Sequence, residues 1–486
     1  MLFPQFTTVA PSYRHCLTKV SSTACNIIHT MNLTYHKDEA LRLMKMAVPI
    51  FIGSISTTGM AFTDTLMAGR VSSLDLAGLS LATSIFILIT IPMSAFMMGV
   101  TPIISADHGT DNRENIHFHF YQLLYISGII SLISITLSLS APLLFPYLNL
   151  EPRVEEVATK YLWIVSAGIP FTFALNSFRS LTDGIGKTKI SMICCMLGLG
   201  INVLLNWIFI YGKFGFPAMG GIGCALATAM VQFFMLVIQL FLTGRVRYLQ
   251  KCAIYRDPPK PDGVTCRQFI RTGFPLAVAI LLEIGIFSLF SLVVSTMGST
   301  AMAANQIFFN YMTLIYIIPM SLANAVSIRI GYTYGAGNFM AVRNTISSAF
   351  VIGLALSIVV GITSYILKNQ IISIYTTDEE VKKLLAETFI CVSVYQIGDY
   401  CQTIGTGILR GFQKNRIILV MALITYWMFT VPVGLILCFR SVLWGPHGFN
   451  GLWIALCVSL YILAVAYIYR THRIVNRLKT DDRLSV

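Results

Sequence analysis

The chain has 486 residues, of which 56% are hydrophobic and 11% charged, with a net charge of +13 and a mean hydropathy of +0.73. A soluble globular domain carries about a quarter of its residues as charges, so water is excluded as the main solvent. Lys and Arg come in short clusters between apolar runs, without the continuous basic face of a nucleic-acid groove, so the implied partner is the lipid bilayer and not nucleic acid.

Residues 1–43 read as a cytoplasmic N-terminal tail. The first 37 contain no acid, and no apolar core of the kind a secretory signal needs. Asn32-Leu33-Thr34 matches a glycosylation sequon, but on the cytoplasmic side it stays bare.

A helix crossing about 30 Å of hydrocarbon needs ~20 mostly apolar residues. Six such segments lie near 44–67, 77–101, 120–146, 157–178, 190–212 and 221–243, and make an N-lobe over 44–243. A basic, Pro-punctuated connection over 244–269 leads to six more, near 270–296, 305–328, 344–366, 386–409, 417–438 and 449–469, which make a C-lobe over 270–469. Residues 470–486 form a second tail.

Twelve spans put both termini on one side. With that side cytoplasmic, only Arg70, Arg153, Lys160, Lys213, Lys368, Lys382, Lys383 and Arg440 of the 34 Lys and Arg fall opposite, which satisfies the positive-inside rule. The expectation is a multi-pass protein of the cell inner (plasma) membrane with both termini cytoplasmic, acting as a monomer.

A shift of 227 residues superposes one half on the other: Ile91-Pro92-Met93-Ser94 recurs as Ile318-Pro319-Met320-Ser321, and Gly184, Lys187 and Ile190 meet Gly411, Lys414 and Ile417. Units with an even number of spans enter the membrane in the same direction, so the halves are related by a pseudo-two-fold axis along the membrane normal. The fold class is an all-α integral membrane protein of twelve transmembrane helices in two six-helix lobes. Prolines within spans, among them Pro92, Pro170, Pro319 and Pro432, are expected to bend helices where lobes flex.

Three acids stand in apolar spans: Asp64 toward the outer end of the first, Glu283 near the middle of the seventh and Asp399 near the middle of the tenth. A charge at mid-bilayer costs ~2.5–3.5 kcal/mol on insertion scales, and no Lys or Arg is expected at the depth of Glu283 and Asp399. Protonation, a bound cation or a wet cavity has to compensate. Two carboxylates in one lobe suit sodium, a hard cation, or a shared proton.

Tyr395, Gln402, Gln306 and Asn310 stand near the deep acids, while Asn202 and Asn206, four apart, share a face of the fifth span. The repeat shift pairs Asp64, Glu283 and Asp399 with Ser291, Ser56 and Thr172, so the acids break the symmetry of the duplication.

Enzyme chemistry and ATP are not expected as the engine. Gly186-Lys187-Thr188 lacks the first glycine of a phosphate loop, and there is no HExxH or GxSxG string. The 11 cysteines show no CxxC spacing and read as small hydrophobes, so no cofactor is expected.

The string from Phe62-Thr63-Asp64 to Ala68-Gly69-Arg70 resembles the first-span signature of multidrug and toxic compound extrusion (MATE) transporters, in the NorM-type branch. Arg179-Ser180-Leu181-Thr182-Asp183-Gly184, Asn206-Trp207-Ile208-Phe209, Pro319-Met320-Ser321, Ser327-Ile328-Arg329-Ile330-Gly331, Tyr395-Gln396-Ile397-Gly398-Asp399 and Leu409-Arg410-Gly411 resemble the same family in order, over about 38–470.

The resemblance implies two rocking lobes that expel small organic cations while sodium or protons flow inward. It implies Glu283, Asp399 and Tyr395 as the C-lobe cation site, Asp64 as the N-lobe acid, and Gln306 and Asp378 as drug contacts near the outer mouth; apart from the resemblance, Asn206 on the polar face of the fifth span is a further substrate-binding candidate, with interhelical packing as the alternative. Two other readings compete: a flippase for lipid-linked cargo, which an arginine-lined cleft would favour, and a passive channel or receptor, which needs no coupling carboxylates.

Overall fold

The computed structural model describes residues 33–439 and 448–484. Most of the expected N-terminal tail, with Asn32 of the sequon, and Arg440 lie outside the described residues.

The N-lobe consists of α1 (Leu33–Gly69), α2 (Ser73–Gly109), α3 (Arg113–Ser140, closed by a 3-10 turn over Ala141–Leu148), α4 (Pro152–Ser166), α5 (Ile169–Gly184), α6 (Thr188–Tyr211) and α7 (Gly221–Gly244). After the short α8 (Arg247–Lys251), the C-lobe consists of α9 (Gly263–Ser295), α10 (Ser299–Gly335), α11 (Phe339–Ile366), α12 (Lys368–Tyr375), α13 (Glu379–Gly411), α14 (Asn415–Ala422), a π-helical turn over Leu423–Thr430, α15 (Val431–Phe439) and α16 (Gly448–Leu484).

Among the described residues, ten helices are long and apolar enough to cross a membrane, and α4 with α5, bent by 48°, makes an eleventh span. Helix α13, 33 residues long and carrying Asp399, is the twelfth.

The duplication is visible in the helix limits. Helices α2 and α10 are both 37 residues long, and α3 and α11 both 28. Even the caps repeat: Asn112 Oδ1 accepts from the Asn115 backbone N–H at 3.0 Å, and Asn338 Oδ1 accepts from that of Ala341 at 2.9 Å. Each satisfies one of the donors that a helix start leaves unpaired.

The prolines divide into two groups. Helices α2 and α10 continue through Pro92 and Pro319. Pro170 stands just after the break between α4 and α5, and Pro432 just after the π turn, which fits the loss of a backbone donor and the clash of the ring with the preceding turn.

Helix α1 begins eleven residues ahead of the span expected from 44, at Leu33, so 33–43 is helical and continuous with the membrane segment. Its Leu43 and Ala47 pack in a C-lobe cluster with Leu322, Val326, Ile346 and Ile408. The beginning of α9 does the converse, since Phe269 sits in the N-lobe cluster with Phe96, Ile104 and Phe173. Each lobe therefore holds the first turns of the other.

Among the described residues, the hydrogen bonds between lobes cluster at this same end. Ser105 Oγ donates to the Ile328 carbonyl at 2.6 Å, and the Arg329 guanidinium makes bonds of 2.6 and 2.9 Å to the Glu39 carboxylate. Helices α2 and α10 cross there with glycine against backbone, as small-residue membrane interfaces do. A Cβ on Gly331 would lie 2.8 Å from the Pro102 carbonyl oxygen and 3.1 Å from Ser105 Cβ.

Gly331→Ala is expected to destabilise this crossing by about 1–3 kcal/mol, the usual cost of overpacking, and to lower Tm. Gly128→Ala, where a Cβ meets nothing within 4 Å, is the control that leaves Tm unchanged or raised. Equal melting of the two variants would contradict the close crossing.

Candidate functional site

Helix α9 brings Glu283, half-buried, and helix α13 brings Asp399, 4% exposed, close enough for their charges to interact. Around them stand tyrosines from four helical segments. Tyr316 of α10, Tyr395 of α13 and Tyr426 of the π turn each lie within electrostatic reach of both acids, and Tyr467 of α16 within reach of Glu283. Tyr395 also packs edge-on against Trp453, with ring centroids 6.4 Å apart.

The sequence singled out Tyr395 and missed the other three. For Tyr426 a signal was present in Pro432, because a π segment before a proline turns side chains out of ordinary helical register. Gln402 Nε2 donates to Tyr426 Oη at 3.4 Å, so this amide belongs to the wall of the cluster.

One turn along α13 from Asp399, on the same face, the buried Thr403 hydroxyl lies within hydrogen-bonding reach of Tyr316. Among the described residues no cluster of three or more His, Cys, Asp or Glu suited to a metal occurs.

Two arginines lie toward the ends of their helices, Arg179 on α5 and Arg410 on α13, away from the middle of the spans where none was expected. Arg410, eleven residues beyond Asp399 on α13, is 4% exposed and donates to Ser327 Oγ at 3.1 Å, Asn324 Oδ1 at 2.6 Å and the Ala323 carbonyl at 3.3 Å. Neutral oxygens thus satisfy its fork. Arg179 lines the N-lobe cavity and contacts Cys195 Sγ, with Asp183 within electrostatic reach. Among the described residues neither arginine forms an ion pair with Glu283 or Asp399.

Asp64 lies apart from the deep pair, in a cavity of about 250 Å³ within the N-lobe, shared with Ser94, Thr172, Asn176, Arg179 and Asn202. Thr172 is the repeat counterpart of Asp399, so the cavity falls where the other lobe places its acids. Asn202 and Asn206 both donate to Asp64 Oδ1, at 3.0 and 2.6 Å, and Asn206 also donates to Asn202 Oδ1 at 3.2 Å. Their shared helix face therefore serves the carboxylate.

Asn206, expected as a further substrate-binding candidate, bonds Asp64. It is fully buried and does not line the cavity, while Asn202 does. Gln306 is exposed on α10, and Asn310 is engaged by Tyr375 Oη at 3.1 Å. Asp378 is the N-cap of α13, its Oδ1 accepting from the backbone N–H groups of Glu380 at 2.9 Å and Val381 at 3.4 Å. That bonding explains Asp378 as a helix start.

The MatE family model matches the chain twice, over residues 49–208 and 275–436, once per lobe. The chain belongs to the MatE family. Two relatives called Multidrug resistance protein NorM are 32% identical: that of Vibrio vulnificus over 90% of this chain and 96% of its own, and that of Photobacterium profundum over 88% and 94%.

Solved MATE structures share the fold at lower identity. A transporter of Vibrio cholerae, VcmN, superposes with a TM-score of 0.83 at 18% identity, covering 91% of this chain and 98% of that one. A eukaryotic MATE transporter superposes at 0.79 with 19% identity, covering 91% and 100%. A multidrug resistance MATE family transporter in an outward-facing conformation superposes at 0.81 with 19% identity, covering 91% and 97%. This MatE chain is accordingly a multi-pass membrane transporter with twelve helices in two lobes, of a family defined by transport and not by catalysis.

Proposed function

We propose that the protein is an antiporter that exports small organic cations while sodium or protons enter, its lobes rocking about the central cleft. The observation that carries this reading is the pair Glu283 and Asp399: two neighbouring carboxylates in membrane helices, ringed by tyrosines and, among the described residues, without an ion pair to a basic group. Such a pair is costly when empty and charged, and a cation or proton relieves it.

Binding of the coupling ion lowers affinity for the drug, and by linkage the drug lowers affinity for the ion by the same factor. The end where the lobes meet carries the basic linker and is taken as cytoplasmic, which puts both termini inside and the protein in the cell inner membrane. One copy contains both lobes and all three acids, so a monomer suffices.

Asp64 and Arg179 face one cavity, which is not the arginine-lined cleft that a lipid-cargo flippase would use. The test is ethidium export from proteoliposomes with sodium and proton gradients imposed one at a time. At least one gradient is expected to drive accumulation against the drug gradient. Flux indifferent to both would replace this reading with the passive channel.

A further inference from the structure

A second feature lies outside both acid sites, where α9 and α14 enter the bilayer. Arg267 and Arg271, one turn apart on α9, and Arg416, at the second residue of α14, surround a groove of about 480 Å³ whose other walls are Ile270, Phe274 and Pro275. All three arginines are exposed, and among the described residues none of them has an ion pair or hydrogen bond. Asp262, the cap of α9, spends its Oδ2 on the Thr265 N–H and hydroxyl, at 2.8 and 2.6 Å. Three like charges around one groove repel each other, and an anion between them removes that cost.

The depth of the groove decides which anion. At 1.5 Å per residue the 33 residues of α9 span roughly 50 Å, against about 30 Å of hydrocarbon, so its first turns lie at headgroup level. Within a turn of the arginines, Ile270 is 52% and Phe274 59% exposed. A charged rim over an exposed apolar wall suits an amphiphile. We infer that this groove binds one anionic glycerophospholipid, its phosphate held by Arg267, Arg271 and Arg416 and an acyl chain lying along Ile270 and Phe274.

Guanidinium groups match phosphate oxygens in pairs, which a zwitterionic headgroup partly neutralises. The repeat supplies an internal comparison. Ahead of Pro275, which meets Pro49, the register is one residue shorter (226), so Arg271 meets Lys45 and Arg267 meets Leu41, while at a shift of 227 Arg416 meets Lys189; only two weaker phosphate ligands remain.

The test is native mass spectrometry of the full chain released from detergent with phosphatidylglycerol, with phosphatidylcholine, or with inorganic phosphate alone. One phosphatidylglycerol is expected to stay bound, at least about tenfold more tightly than phosphatidylcholine, since each basic residue adds to the attraction for an anionic headgroup. The triple variant R267Q/R271Q/R416Q should lose that preference and K45Q/K189Q should keep it. Should the triple variant not fold, R416Q alone is expected to weaken phosphatidylglycerol severalfold. Equal retention of the two lipids, an unchanged preference in R416Q and the triple variant, or displacement of the lipid by inorganic phosphate would each overturn the proposal.

Discussion

In vesicles with an imposed sodium or proton gradient, Asp399→Asn and Glu283→Gln should each export ethidium at least about tenfold more slowly than the native chain, the loss of a step worth 1.4 kcal/mol or more. The amide keeps the size of the carboxylate but can neither exchange a proton nor attract a cation. Because Asp399 is 4% exposed and ringed by tyrosines, no water-borne group takes over its role. Drug binding should persist in both variants while losing its response to the coupling ion, which separates lost coupling from lost folding. Normal gradient-driven export by both variants would remove the carboxylate pair from the mechanism.

The second large effect is expected where the lobes meet. Arg329 grips Glu39 through two bonds, with Glu39 2% and Arg329 13% exposed, and Thr345 Oγ1 adds a bond of 3.3 Å to the same carboxylate. Glu39→Gln leaves a guanidinium buried without its partner, a change that typically costs about 3–5 kcal/mol. Only the conformation with the lobes closed at this end contains the bond, so the cost falls on that conformation and populates the opposite one.

Ser105, fully buried beside Ile328, reports on this opening. Alkylation at Ser105→Cys, followed by mass spectrometry of its peptide, should accelerate roughly tenfold or more in the Glu39→Gln background, given a cost of that size. Glu39→Leu with Arg329→Met removes both charges and should restore much of the protection, as buried pairs replaced by apolar groups often do. Unchanged alkylation in Glu39→Gln would show that the bond does not hold the lobes together.

Sequence alone determined the solvent, the number and approximate place of the spans, the duplication and the three intramembrane acids. These are one-dimensional properties: hydropathy over twenty residues, a constant offset between strings, and a charge within an apolar run. It also marked Asn202 and Asn206 as a shared face, because helical spacing is local.

Which groups meet across helices was decided by tertiary structure. Tyr316, Tyr426 and Tyr467 sit 33, 143 and 184 residues from Glu283 and share no motif with it, yet packing brings all three within reach of its charge. Glu39 read as a tail residue because hydropathy drops ahead of 44, but its carboxylate is buried against Arg329, 290 residues away. Arg410 is compatible with its span only because Ser327, Asn324 and the Ala323 carbonyl answer its donors. An apolar solvent sets the helices, but it leaves the pairing of buried polar groups to whichever partners the fold delivers.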